Sequence, residues 1–451
     1  MTYIVFLLIS SLHLFLLSHL QFTAWPEMLS YPFLLSHGFN LYKDIALPYQ
    51  PLLPLILLSF YKIFGYTLLN LKLFTLSTIL LSDLFIFCIS NQLIKNKFLK
   101  LIPAIFYIFV QSLMDGNMLW FDLATAPFIL AGIYILIKFS SLKRLFWFGL
   151  FVSLAFFIKQ QIAVPILFML IYLLLIKRLA EVKFFLMGLV TPAFFVGVYI
   201  LFSKNLSDYF FWTFTVPLYW YPRFPGYTYF PTVKGLLTVL LLFLPGSLLA
   251  LKDFKKSDSV PMMILLFFAG TFITAFPRFE YFRFQPAIAL YAIILIFTMA
   301  GMKPKKLIVF CLPIFLSVLI LLKSSLPFLN LPARFYGDKD LRMANKIKEM
   351  TTGEDKIYLL GESSTAYVLS DRLPPKPWID NYVWYMEIEG MQEKVIEGFK
   401  LKPPKLIFRR KTTLGNWFDL GTYQPKKLVQ YIEQNYHRLD TMEEVEIWIK
   451  N

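Results

Sequence analysis

Two carboxylates, Glu27 and Asp44, stand in a Pro-rich, aromatic loop directly after the first hydrophobic run, in the stretch WPEMLSYPFLLSHGFNLYKDIALPYQPLLPLILLSFYKIFG from Trp25 to Gly65. Further polar side chains punctuate the ends of later apolar runs: Asp115, Asp122, Lys159, Arg223, Arg278, Glu280 and Arg283. Carboxylates opposite cations at a membrane edge suit group transfer from a lipid-phosphate donor. A carboxylate takes the proton of an acceptor hydroxyl, while Lys and Arg neutralise the charge that builds on the departing phosphate.

Each of these residues also has a plainer reading. Glu27 can complement the N-terminus of an interfacial helix, and Asp44 can accept turn amides. Asp115, in Met114-Asp115-Gly116-Asn117, fits an ordinary loop. Lys159 can snorkel from a helix end, and Arg278 and Arg283 flank Glu280 closely enough for a local ion-pair cluster to compete with phosphate binding. Asp122 is different. It lies among Trp120, Phe121 and Ala124 in an apolar segment, where an unpaired charge at the bilayer centre costs about 2.5–3.5 kcal/mol.

The elements that must position these groups follow from composition. Hydrophobic residues make up 58% of the 451, Phe alone numbers 49, and the mean hydropathy is +0.62. That is the composition of a polytopic membrane protein. The net charge of +16 does not point to nucleic acid, because the Lys and Arg fall in short clusters between apolar runs, as orientation signals do. Cys88 and Cys311 lie inside apolar spans, so neither a disulfide framework nor a thiolate metal site is expected. His13, His19, His37 and His437 lack metal-ligand spacing, and no H-E-x-x-H or P-loop occurs. No cofactor is expected, and no divalent metal is indicated.

Apolar runs that read as spanning helices, several of them short, occur near 3–21, 68–91, 101–114, 118–138, 145–158, 162–176, 184–203, 233–251, 260–276, 284–300 and 307–323. Residues 51–64, PLLPLILLSFYKIF, are short and carry two prolines and a lysine. If they lie in the interface, the clusters Lys95/Lys97/Lys100, Lys138/Lys143/Arg144, Lys177/Arg178/Lys183, Lys252/Lys255/Lys256 and Lys303/Lys305/Lys306 share one side, as the positive-inside rule demands. The segment therefore reads as a juxtamembrane helix. The first run has no basic n-region and no convincing cleavage site, and reads as a retained helix. The expectation is an integral plasma-membrane protein with a cytoplasmic N-terminus, a transmembrane domain over 1–323 with its first outer loop at 22–67, and an extracytoplasmic α/β domain over 334–451.

Within that last domain KIYLL, KLIF and VEIWI read as strands, and EIEGMQEKVIEGF and PKKLVQYIEQNY as helices. Gly361-Glu362-Ser363 follows a strand as a nucleophile elbow would, but the motif needs Gly where Thr365 stands. Ser363 or Ser364 as a helix N-cap is the simpler account.

The order acid, Tyr, Gly, Tyr-x-Asp and a Pro-rich start to an apolar helix is here Glu27, Tyr31, Gly38, Tyr42-Lys43-Asp44 and Pro48-Tyr49-Gln50-Pro51. It resembles the first extracytoplasmic loop of the GT-C glycosyltransferases, in particular the dolichyl-phosphate-mannose–protein mannosyltransferase type (glycosyltransferase family 39). Phe64-Gly65 with Lys72 beyond it, FFIKQQ with Lys159, and PRFEYFRFQPAIAL extend the likeness, and GESSTAYVLSDRLPP with a closing EIWIK is similar to bacterial members that carry an outer α/β domain. The resemblance implies an α-helical polytopic GT-C fold of about eleven transmembrane helices with a small outer α/β domain. It also implies an inverting transferase that uses a polyprenyl-phosphate-linked sugar and a carboxylate of the first outer loop. By position that base is Glu27, with Asp122 the further catalytic candidate. Tyr42, Asp44, Asp115, Lys159, Arg278 and Arg283 are then the substrate-binding candidates. One departure stands out: the family's usual Asp-Glu pair reads Pro26-Glu27, leaving a single acid.

The partners implied are the polyprenyl-linked sugar, membrane lipids, and a protein, lipid or glycan acceptor. A transporter or lipid flippase would use similar helices but place charges near the midplane and show matched halves. Here Asp83 is the clear acid deep in a span, and the halves do not match. A non-catalytic membrane scaffold and a cell-wall polymer polymerase or ligase complete the alternatives.

Overall fold

The computed structural model describes residues 2–96, 98–224, 226–254, 259–276, 278–299, 302, 304–379, 383–410 and 425–451. Lys97, Lys255, Lys256 and Lys303 of the basic clusters lie outside the described residues. In chain order the helices are α1 (Thr2–His19), α2 (Glu27–Ser36), α3 (Leu52–Phe64), α4 (Leu68–Leu93), α5 (Ile102–Leu113), α6 (Phe121–Lys138), α7 (Lys143–Ile158), α8 (Ala163–Leu175) and α9 (Leu179–Phe202). They continue with α10 (Leu206–Phe210), α11 (Val233–Phe254), α12 (Ser259–Ile273), α13 (Gln285–Met299), α14 (Pro304–Ser325), α15 (Asp338–Met350), α16 (Thr365–Ser370), α17 (Met391–Leu401) and α18 (Lys426–Asn435). Each of the eleven apolar runs forms a helix, and residues 51–64 form the separate short helix α3.

The chain divides into two units. The first comprises Met1–Thr23, Lys72–Val198 and Tyr229–Pro332. Its centre is α13, apolar on all sides and buried along nearly its whole length, as a helix without a polar face must be. Ala287, Ala289 and Ala292 hold small volume on that helix, and α5, α6, α11 and α12 pack around it. Phe194, Phe195, Ile308, Val309 and Phe315 point outward from α9 and α14 and are more than half exposed. In water such a surface would be an aggregation liability; facing lipid it is the expected one. Among the described residues, six helices are long and apolar enough to cross a membrane by length and composition, and five shorter apolar helices accompany them.

The second unit comprises Ala24–Leu71, Tyr199–Thr228 and Ala333–Asn451. The loop after the first hydrophobic run thus shares a compact body with the C-terminal segment. A four-stranded sheet in the order β1-β2-β4-β3 forms its C-terminal part, from Ile357–Leu360, Leu406–Arg410, Val445–Lys450 and Tyr436–Met442 respectively. β1 and β2 run parallel with Ile357 opposite Leu406, so a crossover must join them, and α16 and α17 supply it. β3 and β4 form a hairpin closed at Met442 and Val445. Its two-residue turn puts Glu443 at φ 55°, as such tight turns require.

The sequence reading of this part holds for β1, β2 and β4 but misses β3 and α15. β3, YHRLDTM, exposes nearly every residue, so it carries no apolar alternation. α15 buries only Met343, Ala344 and Ile347. Ser364 occupies the N-cap of α16 without capping through its side chain; instead Ser363 Oγ accepts the Thr365 N–H at 3.3 Å.

Candidate active site

In the first unit, Asp122 falls in the opening turn of α6, where exposed N–H groups favour a carboxylate. The backbone leaves α7 at Lys159 in an extended conformation. Because α6 and α7 pack together, Lys159 Nζ reaches Asp122 Oδ1 at 2.5 Å, both side chains being buried. Asp122 Oδ2 has no hydrogen-bond partner among the described residues.

Arg278 and Arg283 bracket one carboxylate. Glu280 Oε1 accepts from Arg278 Nε and Nη2 at 3.2 and 3.1 Å, and Oε2 accepts from Arg283 Nε at 2.9 Å. The turn Tyr281–Phe284 that carries Arg283 lies against α6, with the Phe282 and Trp120 rings 6.1 Å apart. Burial pushes the Lys159 ammonium down to about 8; the Asp122 charge opposes this, Arg283 adds to it, and Glu280 opposes it more weakly. The two ion-pair groups therefore share one electrostatic site. Burial alone would raise the Glu280 carboxyl, but Arg283 and Arg278 outweigh it and hold Glu280 below the usual carboxylate range. Among these five side chains three cations meet two carboxylates, an arrangement suited to an anion.

Asp115 is exposed on a turn at φ 51°, close in sequence to Asp122 but not among its bonded partners. Gln111 Nε2 donates to Gly116 O at 2.9 Å. Asn117 Nδ2 donates to Leu17 O and Leu20 O, and Gln285 Nε2 donates to Met114 O at 2.9 Å. A Cβ at Gly116 would stand 2.0 Å from Gln111 O, so only glycine fits.

In the second unit, Glu27 opens α2 and is 1% exposed. Its helix begins after Pro26, which offers no side-chain cap. Tyr42 is buried at φ 70°, and its hydroxyl donates to Tyr49 O at 3.1 Å. Burial first, then the neighbouring Tyr209 and Tyr199, raise its phenol well above the ordinary value, so it acts as a neutral donor. Asp44 Oδ2 accepts from Asn40 N, Asn40 Nδ2 and Lys376 Nζ at 2.9, 3.1 and 3.1 Å. Asp44 therefore organises the loop in which Tyr42 sits.

Sequence reasoning did not anticipate Lys376, nor the buried triad of His13, Asp83 and Gln111. His13 lies 2.8 Å from Asp83 Oδ2 through Nδ1 and 2.8 Å from Gln111 Oε1 through Nε2. A lone acid in an apolar helix signals that a partner exists, but a separation of 70 residues hides which one it is. No group of three or more His, Cys, Asp or Glu side chains is placed to hold a metal ion among the described residues.

Two solved structures share this architecture over almost their full length. ArnT from Cupriavidus metallidurans bound to undecaprenyl phosphate superposes with a TM-score of 0.62 at 12% identity, covering 99% of this chain and 97% of that one. The same protein in its apo state gives 0.61 at 10% identity, with the same coverage. The chain has the fold of these two structures. It is an α-helical polytopic membrane protein with a small C-terminal sheet. No protein-family profile matches the sequence, and no curated protein sequence does.

Proposed function

We propose that the protein is a membrane glycosyltransferase that moves a sugar from a polyprenyl-phosphate donor to an acceptor outside the cytoplasm, with inversion at the anomeric carbon. The observation that carries this reading is the buried cluster of Lys159, Arg278 and Arg283 against Asp122 and Glu280 in a membrane-spanning unit. Burying several charges in such a place is costly, and the three cations suit a phosphate. ArnT, which has this fold, was crystallised with a polyprenyl phosphate.

In the proposed reaction Lys159, Arg278 and Arg283 hold the donor phosphate. Glu27 takes the proton of an acceptor hydroxyl as its oxygen attacks the anomeric carbon from the face opposite the phosphate. The carbon–oxygen bond to phosphate breaks, and polyprenyl phosphate leaves with the electron pair while the cations stabilise it. Asp122 keeps Lys159 charged and oriented. Tyr42 and Asp44 shape the loop that follows the Glu27 helix, and Asp115 contributes to substrate binding from its exposed turn. The acceptor is a protein, lipid or glycan.

Transport is the second reading, favoured by the buried His13–Asp83 pair deep in α1 and α4. Substitution at the base separates the two. Glu27→Gln keeps the side chain's size and removes its basicity, so turnover falls about a hundredfold or more while donor affinity holds. Asp122→Asn lowers activity less and partly through donor binding. Near wild-type transfer by Glu27→Gln together with a dead Asp122→Asn would move the base to Asp122.

A further inference from the structure

We propose that the C-terminal segment sets the position of the helix bearing Glu27, with Lys376 and Ser364 as positioning residues for the transfer reaction; this rests on Glu27 being the base. Alone, α2 is poorly specified. It has ten residues, no side-chain cap and an internal proline, Pro32, and a helix this short is marginal without packing. The loop after it, 37–51, contains no regular element and takes its shape from individual bonds.

Several of those bonds come from the far end of the sequence. Ser364 Oγ donates to Ser30 Oγ at 3.0 Å, both fully buried, and Ser30 lies one turn after Glu27, three residues along the same helix. Lys376 Nζ donates to Gly38 O at 2.5 Å and to Asp44 Oδ2 at 3.1 Å, and its ammonium stands 4.6 Å from the centre of the Phe39 ring. Trp378 N donates to Asp44 O at 2.7 Å, while Ala46 N donates to Trp378 O at 3.3 Å, a strand-like pairing between residues more than 300 apart in sequence. One face of α2 and both sides of its following loop are thus gripped by residues 364–378. A base must sit within hydrogen-bond reach of the proton it removes, and small misplacements of a catalytic group are costly.

The test uses the full-length protein with a labelled polyprenyl-phosphate sugar. Lys376→Met keeps the length of the side chain over Phe39 but loses the bonds to Gly38 and Asp44. It lowers kcat about tenfold or more, leaves the donor KM within about twofold, and speeds amide exchange over 38–47. Lys376→Arg restores the charge and recovers both kcat and protection. Wild-type kcat in Lys376→Met, or a raised donor KM at unchanged kcat, overturns the proposal, as does unchanged exchange over 38–47. Glu27→Gln run in parallel separates the two ideas. Full turnover in Glu27→Gln removes the base assignment, whereas a dead Glu27→Gln beside a fully active Lys376→Met removes only the positioning role.

Discussion

Asp122 and Lys159 show how a membrane-spanning fold keeps charge. Neither group would persist alone in an apolar setting, and each is held by the other at 2.5 Å. The lowered Lys159 value, about 8, gives the pair a consequence in solution. The free protein binds a phosphate donor through Lys159 only while the ammonium is protonated, so kcat/KM for the donor falls as pH rises through about 8. Lys159→Arg stays charged throughout, so its profile stays flat across that range. A wild-type profile flat from pH 7 to about 9.5 would remove Lys159 from donor binding. At this scale the sequence is informative about identity and silent about partners. Asp122, Lys159, Arg278 and Arg283 stand out because charge at an apolar helix end needs a reason. Their assembly depends on α6 packing against α7 and against the turn Tyr281–Phe284, a relation that no spacing in the chain encodes. Asp44 stood out for the same loop position, yet its carboxylate is occupied by Asn40 and Lys376.

The helices themselves are legible because lipid imposes one rule. Every backbone group in a span must be bonded within it, so an apolar run in lipid folds as a helix, and all eleven runs are helical. α15 and β3 escape notice because they are amphipathic or exposed elements of a small α/β fold, where tertiary pairing decides what periodicity does not. How spans pack is readable at particular glycines. On α9 a Cβ at Gly188 would stand 2.0 Å from Phe146 O and 2.8 Å from Leu150 N, both backbone atoms of α7. Gly149 of α7 returns the contact toward Phe185 O, and Ser153 Oγ bonds Leu189 O at 2.8 Å. Small residues let two spans approach this closely. Gly188→Ala therefore destabilises the protein by about 1–3 kcal/mol. Gly197→Ala, on the same helix with nothing within 4 Å of its Cβ, is neutral or stabilising by about 0.5–1 kcal/mol. Thermal unfolding in detergent compares them, and equal midpoints would refute this account of α7–α9 packing.

At the scale of the whole molecule, the alternation of basic clusters with apolar runs predicts an orientation in which the C-terminal segment lies outside the cytoplasm. With Cys88 and Cys311 replaced by serine, an impermeant thiol reagent added to intact cells labels Glu354→Cys, in the exposed part of the second unit. It leaves Ser141→Cys, between α6 and α7, unlabelled until the membrane is opened. The reverse pattern would place the proposed chemistry on the cytoplasmic side. The fold is shared with ArnT at only 12% identity. The most direct measurement follows the donor itself. Full-length protein in phospholipid vesicles is given polyprenyl phosphate carrying a labelled sugar, together with peptide, lipid and glycan acceptors. The account predicts that label leaves its lipid for an acceptor with equal release of polyprenyl phosphate, and that Glu27→Gln abolishes both. Label that stays on its lipid, at rest or carried intact across the bilayer, would contradict it.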